Sequence, residues 1–178
     1  MSKETKAELV SLVTIARRAI ESYVRDHAIL GVSPPAGESP RRAGVFVSLH
    51  LPDGSLRGCI GTTEPQLASV EEETAANAIS AAAADPRFYP LTVAELDGLA
   101  ISVDVLGAAE EVDGVEDLDP KRYGIIVRTI DGRRALLLPD LEGVDTVEQQ
   151  LRITCRKGNI DSTADQYRIY RFEVERYH

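Results

Sequence analysis

Apolar residues recur at Leu9, Leu12, Val13, Ala16, Ile20, Tyr23 and Val24, the spacing of one helix face. Thr5-Lys6-Ala7-Glu8 ahead of them has the form of a capping box, so a helix is predicted over about 6–27. Residues 30–44, with three prolines and three glycines, read as a loop or arm. The pattern then changes. Val45-Phe46-Val47-Ser48-Leu49-His50-Leu51 is β-rich, Pro52-Asp53-Gly54-Ser55 supplies a turn, and the chain returns as a second strand from Leu56 to Gly61.

Ser69-Val70-Glu71-Glu72 reads as another capping box. The alanine-rich stretch behind it is a strong helix to Ala84, with three glutamates at the positive end of its dipole. Its small residues Ala75, Ala78, Ala82 and Ala83 allow close packing on a sheet, and Asp85-Pro86 stops it. Arg87-Phe88-Tyr89-Pro90-Leu91 is a rigid aromatic connector, and Thr92-Val93-Ala94-Glu95 opens a short helical turn. Ile101, Val103 and Val105 alternate in a half-buried strand. Residues 110–119 form an acidic loop, a solvated face without the ligand periodicity of a calcium loop. A second hairpin turns at Asp131-Gly132 and ends at Pro139. A last helix is capped around Asp145-Thr146 and stops near Gly158. A closing strand runs over 167–177, with Tyr170, Phe172 and Val174 on one side. Two hairpins and two further strands among helices predict an α+β class with a largely antiparallel sheet flanked by helices.

Composition narrows the function classes. At 178 residues and 43% hydrophobic, the chain is long enough for one domain, or one domain with two lobes. A net charge of −9 argues against broad nucleic-acid binding. Arg41-Arg42, Lys121-Arg122, Arg133-Arg134 and Arg156-Lys157 are paired, as solvated surface charges or a local basic patch. No apolar run is long enough for a membrane span, and the charged N-terminus lacks a signal-peptide pattern, so the cytoplasm is expected. Cys59 and Cys155 have no metal-ligand spacing, and a disulfide is disfavoured in a reducing compartment. Neither a metal nor a cofactor is implied.

The chemistry concentrates in Leu56-Arg57-Gly58-Cys59-Ile60-Gly61-Thr62. Gly58 and Gly61 leave room for another segment or a ligand to approach the backbone. Cys59 reads either as a nucleophile or as a packed small hydrophobe. Arg57 lies on the same face as the thiol if the strand is regular, where its charge would favour thiolate. His50 would pair near Arg57 rather than with Cys59, which argues against a Cys–His dyad. Gly58, Gly61, Thr62, Glu64, Asp85 and Arg87 are candidate binding residues around a cleft. Glu64, Asp85 and Arg87 read equally as a helix-start residue, a helix-end residue and an ion-pair partner. No phosphate loop is present.

Leu56-Arg57-Gly58-Cys59-Ile60-Gly61 resembles the signature of the AMMECR domain family, whose bacterial and archaeal branch is called AmmeMemoRadiSam system protein A. Gly44-Val45-Phe46-Val47-Ser48-Leu49, Asp85-Pro86-Arg87-Phe88, Pro90-Leu91, Tyr123-Gly124-Ile125-Ile126-Val127, Leu136-Leu137-Leu138-Pro139 and Cys155-Arg156-Lys157 resemble its other blocks in order, covering about Ala7 to Tyr177. The chain departs where Gly158-Asn159-Ile160 replaces Ala-Gly-Leu, and it has no Trp. The resemblance implies a single domain over 1–178 with two unequal lobes, both termini in the larger and the middle of the chain in the smaller. It supplies no reaction. It implies a binding or accessory role beside a Memo-like protein and a radical-SAM enzyme. The alternative is an enzyme using Cys59 as nucleophile and Arg57 as anion binder.

Overall fold

The computed structural model describes residues 11–34 and 39–178. They form three α-helices and eight strands, in two units: residues up to Val105 with Arg176–His178, and Leu106–Glu175.

The first unit opens with α1 (Leu12–Asp26), whose N-cap is Ser11, its hydroxyl accepting from the Thr14 N–H at 3.2 Å. The Thr5–Glu8 capping box lies outside the described residues. The helix ends at His27, which takes the left-handed conformation (φ 52°) and sets its ring edge-on to Tyr23. The first hairpin is β1 (Val45–His50) and β2 (Leu56–Gly61), and Gly54 in its turn has φ 83°. Behind it come α2 (Val70–Ala83), capped by Ser69, and a 3-10 turn over Val93–Gly98. Then follow β3 (Ala100–Leu106), β4 (Glu110–Val112), β5 (Gly124–Thr129), β6 (Arg134–Leu137), α3 (Val147–Lys157), β7 (Tyr167–Phe172) and β8 (Val174–Tyr177).

The α+β class with antiparallel pairing stands, but the strands form two sheets. One has the order β2-β1-β3-β8, the other β4-β7-β5-β6. The predicted closing strand over 167–177 is therefore two strands parted at Glu173 that join different sheets. The acidic stretch is not all loop, because Glu110–Val112 pairs with β7. Its charges face basic partners on that strand, with Glu110 opposite Arg171 and Glu111 beside Arg168 at 3.3 Å.

In the first unit Val45, Val47, Leu49, Val103 and Val105 are buried on one sheet face with Ile15, Ala16, Ala19 and Ile20 of α1 and Ala75, Ala78, Ala81 and Ala82 of α2. Arg176 braces the sheet through Asp104, with Nε at 2.7 Å. The second unit buries Ile125, Val127, Leu137, Cys155 and Ile160. The departure after α3 keeps the local physics: Asn159 holds the left-handed position (φ 50°) and Ile160 is buried. At the unit's neck the Gly107 N–H donates to the Glu173 carbonyl at 2.8 Å. Among the described residues no helix is long and apolar enough to cross a membrane.

Candidate functional site

The edge strand β2 carries the motif. Ser48 stands opposite Cys59 and Leu49 opposite Gly58, but the next pair is His50 with Leu56. Arg57 is therefore the extra residue of a β-bulge. His50 pairs with Leu56, beside Arg57 and away from Cys59, as expected, but the regular strand that would set Arg57 on the face of the thiol is interrupted.

The Arg57 side chain, 13% exposed, donates through Nε to Glu95 Oε1 at 2.7 Å. Glu95 in turn accepts from the N–H and hydroxyl of Thr92, both at 2.9 Å. The Arg57 contact, then these bonds, hold the Glu95 carboxyl below its ordinary pKa. Phe88 lies within cation–π reach of two guanidinium groups, Arg57 at 5.8 Å and Arg87 at 5.5 Å from its ring centre. Arg57→Ala removes an ion pair and the packing of a long stem. It is expected to cost about 1–2 kcal/mol, read as a shift in the urea midpoint. Arg57→Lys is expected to recover only part of this, because an ammonium cannot bridge both Glu95 oxygens while lying over the ring.

Arg87, not Arg57, holds the segment around the thiol. Asp85, just past α2, is 4% exposed. Its carboxylate accepts from the Cys59 N–H at 2.9 Å, the Arg87 N–H at 3.0 Å and two Arg87 guanidinium nitrogens at 3.0 and 2.7 Å. Arg87 Nη2 also donates to the Cys59 carbonyl at 3.2 Å. The outward N–H and C=O of one edge-strand residue are thus both taken by a two-residue brace, which also closes that edge to further pairing. The Arg87 hydrogen bonds hold the Asp85 carboxyl far below its ordinary range. Arg87 is raised, first by Asp85, with a smaller contribution from Cys59. The Ser48 hydroxyl donates to Cys59 Sγ at 3.3 Å, and the thiol is half-buried. Cys155 is a different case: it is buried, and desolvation pushes its thiol pKa up.

Both glycines admit a close neighbour. A Cβ on Gly58 would lie 2.2 Å from the Ala81 carbonyl oxygen of α2, and one on Gly61 would lie 2.2 Å from the Phe46 ring. Thr62 belongs to a separate network. Its hydroxyl donates to buried Glu73 at 2.6 Å and accepts from Asn77 at 3.2 Å. Glu73 also accepts the Gln66 and Leu67 N–H groups, both at 2.8 Å. Glu64 is exposed on that loop. The structure thus gathers Arg57, Gly58, Cys59, Asp85 and Arg87, and sets Thr62 and Glu64 where α2 anchors the loop after β2.

Ser48, Phe88, Glu95, Glu73 and Asn77 were not singled out in the sequence. Asn77 carried a signal: an amide four residues after Glu73 in an alanine-rich helix lies on the same face. The three glutamates read alike as dipole partners, but of the three only Glu73 is buried as a whole residue. Among the described residues no cluster of three His, Cys, Asp or Glu side chains is arranged for a metal.

Residues 13–177 match the family model for AMMECR1. A Thermotoga maritima protein is 52% identical over 165 residues, covering 91% of this chain and 94% of that protein. A Clostridium acetobutylicum protein is 45% identical over 97% of this chain, which spans only 36% of its length. The crystal structure of an uncharacterized protein from Pyrococcus horikoshii superposes with a TM-score of 0.80 at 33% identity, over 93% of this chain and 88% of that one.

Proposed function

The chain belongs to the AMMECR1 family, and from that premise we propose that it is a binding or accessory protein whose 56–61 segment is a braced wall of a recognition face. One observation carries this. The groups around Cys59 are committed to holding it in place: Asp85 on its N–H, Arg87 on its carbonyl and Ser48 on its sulfur, while Arg57 is engaged by Glu95. The face beside them is open, with Arg87 54% and Tyr89 90% exposed. Exposed tyrosine and arginine are the side chains that anchor partner contacts.

The partners proposed are a Memo-like protein and a radical-SAM enzyme in a shared modification pathway, on the strength of the resemblance. The Clostridium relative adds support, since there a sequence like this one is joined to a much longer chain. The unbroken match over 13–177 supports treating the chain as a single domain. Both thiols are free, which fits a reducing compartment, and the cytoplasm is the proposed location.

The test is Cys59→Ala. The variant is expected to fold, with a lower melting temperature, and to support partner binding and function in cells. A variant that folds normally and loses cellular function would overturn the reading.

That outcome would favour a second one, Cys59 as nucleophile. The Ser48 hydroxyl at the sulfur and Arg87 beside it support that chemistry, with Arg87 in the place expected of Arg57. The rate of alkylation against pH decides. A thiol titrating at or above the free-cysteine value of ~8.5 removes the nucleophile.

A further inference from the structure

The second unit holds a cleft of about 380 Å³ built around Tyr123, within the size range of small-molecule sites. Two guanidinium groups lie against the Tyr123 ring, Arg122 at 4.9 Å and Arg171 at 4.7 Å from its centre. Stacking on an aromatic ring preorganises such a group for a planar or tetrahedral oxyanion.

Their compensation is unequal. Arg122 meets Glu173 at 2.8 Å, and both side chains are more than half exposed. Arg171 is only 28% exposed, and its contact with the exposed Glu110 is long, at 3.4 Å. Nη1 donates to the Asp117 carbonyl at 2.9 Å, and Nε is buried with no hydrogen-bond partner among the described residues. A cation mostly out of water, held by one carbonyl and one stretched carboxylate contact, is under-neutralised. The Glu110 side chain is mostly exposed.

We propose that this cleft is a binding site for a small oxyanion-bearing molecule, a carboxylate or phosphate, which takes the place of Glu110 on Arg171 with Arg122 as second cation. The inference does not rest on the reading of the Cys59 face.

The full chain, labelled with nitrogen-15, is titrated with inorganic phosphate and, in a second arm, with succinate, following the arginine Nε–H resonances. Ionic strength is matched with sodium chloride. The Arg171 signal is expected to move saturably with at least one probe, and the probe that binds more tightly identifies the class. Arg122→Gln removes an exposed side chain, so its fold is expected to survive. It is expected to weaken binding at least threefold, and Arg171→Gln to abolish it. Glu110→Gln removes the competing carboxylate and is expected to tighten binding. Shifts that sodium chloride reproduces, or that persist unchanged in Arg122→Gln, overturn the proposal, as does the lack of any saturable shift.

Discussion

Gly58→Ala is expected to destabilise the protein by about 1–3 kcal/mol, at the upper end of that range. The added methyl would meet the Ala81 carbonyl oxygen at 2.2 Å, a backbone atom inside α2. A backbone carbonyl cannot rotate away, so the helix or the edge strand must move, and both pack in the same core. Gly61→Ala makes an equally short contact, but with the Phe46 ring, which is half-buried and able to swing. It is expected to cost less. Gly54→Ala meets nothing within 4 Å, and its penalty comes only from φ 83°. That penalty is of the order of 1 kcal/mol. Urea midpoints at constant slope should fall in the order Gly58, Gly61, Gly54. Equal midpoints for Gly58→Ala and wild type would show that close approach of α2 is not what the glycine provides.

Asp85→Ala is expected to cost about 2–3 kcal/mol, since hydrogen bonds to a charged group are the stronger kind and the Cys59 N–H would lose its acceptor. Arg87 is half exposed and can turn to water, which keeps the cost below that of a fully buried pair. The pH dependence gives a second readout. The Asp85 carboxyl is depressed in the folded state relative to an unfolded value of ~3.9. Its contribution is therefore complete above about pH 4 and is lost as the pH falls through the depressed value. Wild type should lose more stability than Asp85→Asn between about pH 5 and pH 2, while both stay level above it. Parallel acid limbs for the two proteins would exclude Asp85 as the source.

What was legible in the sequence was local. The two hairpins announced themselves through Asp53-Gly54 and Asp131-Gly132, and α2 through Ser69 and its glutamates. The partition into two sheets was not legible, because it rests on pairings such as β4 with β7 between segments distant in sequence. The alternation over 167–177 reads as one strand, since nothing local marks Glu173 as the break. At the candidate site Cys59, Asp85 and Arg87 stood out by type and position. The exchange of roles between Arg57 and Arg87 was hidden because a bulge is a mismatch between two strands, not a property of either. Thr92–Glu95 reads in sequence only as the opening of a helical turn; that Glu95 caps this turn and also holds Arg57 appears only in three dimensions.

The Gly107–Glu173 hydrogen bond has a consequence for the order of assembly. β3 and β8 are neighbours in the first sheet, yet the chain makes the whole excursion Leu106–Glu175 between them. Topologically the second unit is an insertion in a hairpin, and this bond ties the two ends of the insert at its base. The first unit cannot add its last strand until that long loop closes. The entropy of closure grows only logarithmically, by ~0.6 kcal/mol per doubling of loop length. Loops inside the insert can therefore lengthen or shorten with little effect on the sheet that carries Cys59, provided the knot at Gly107 and Glu173 holds.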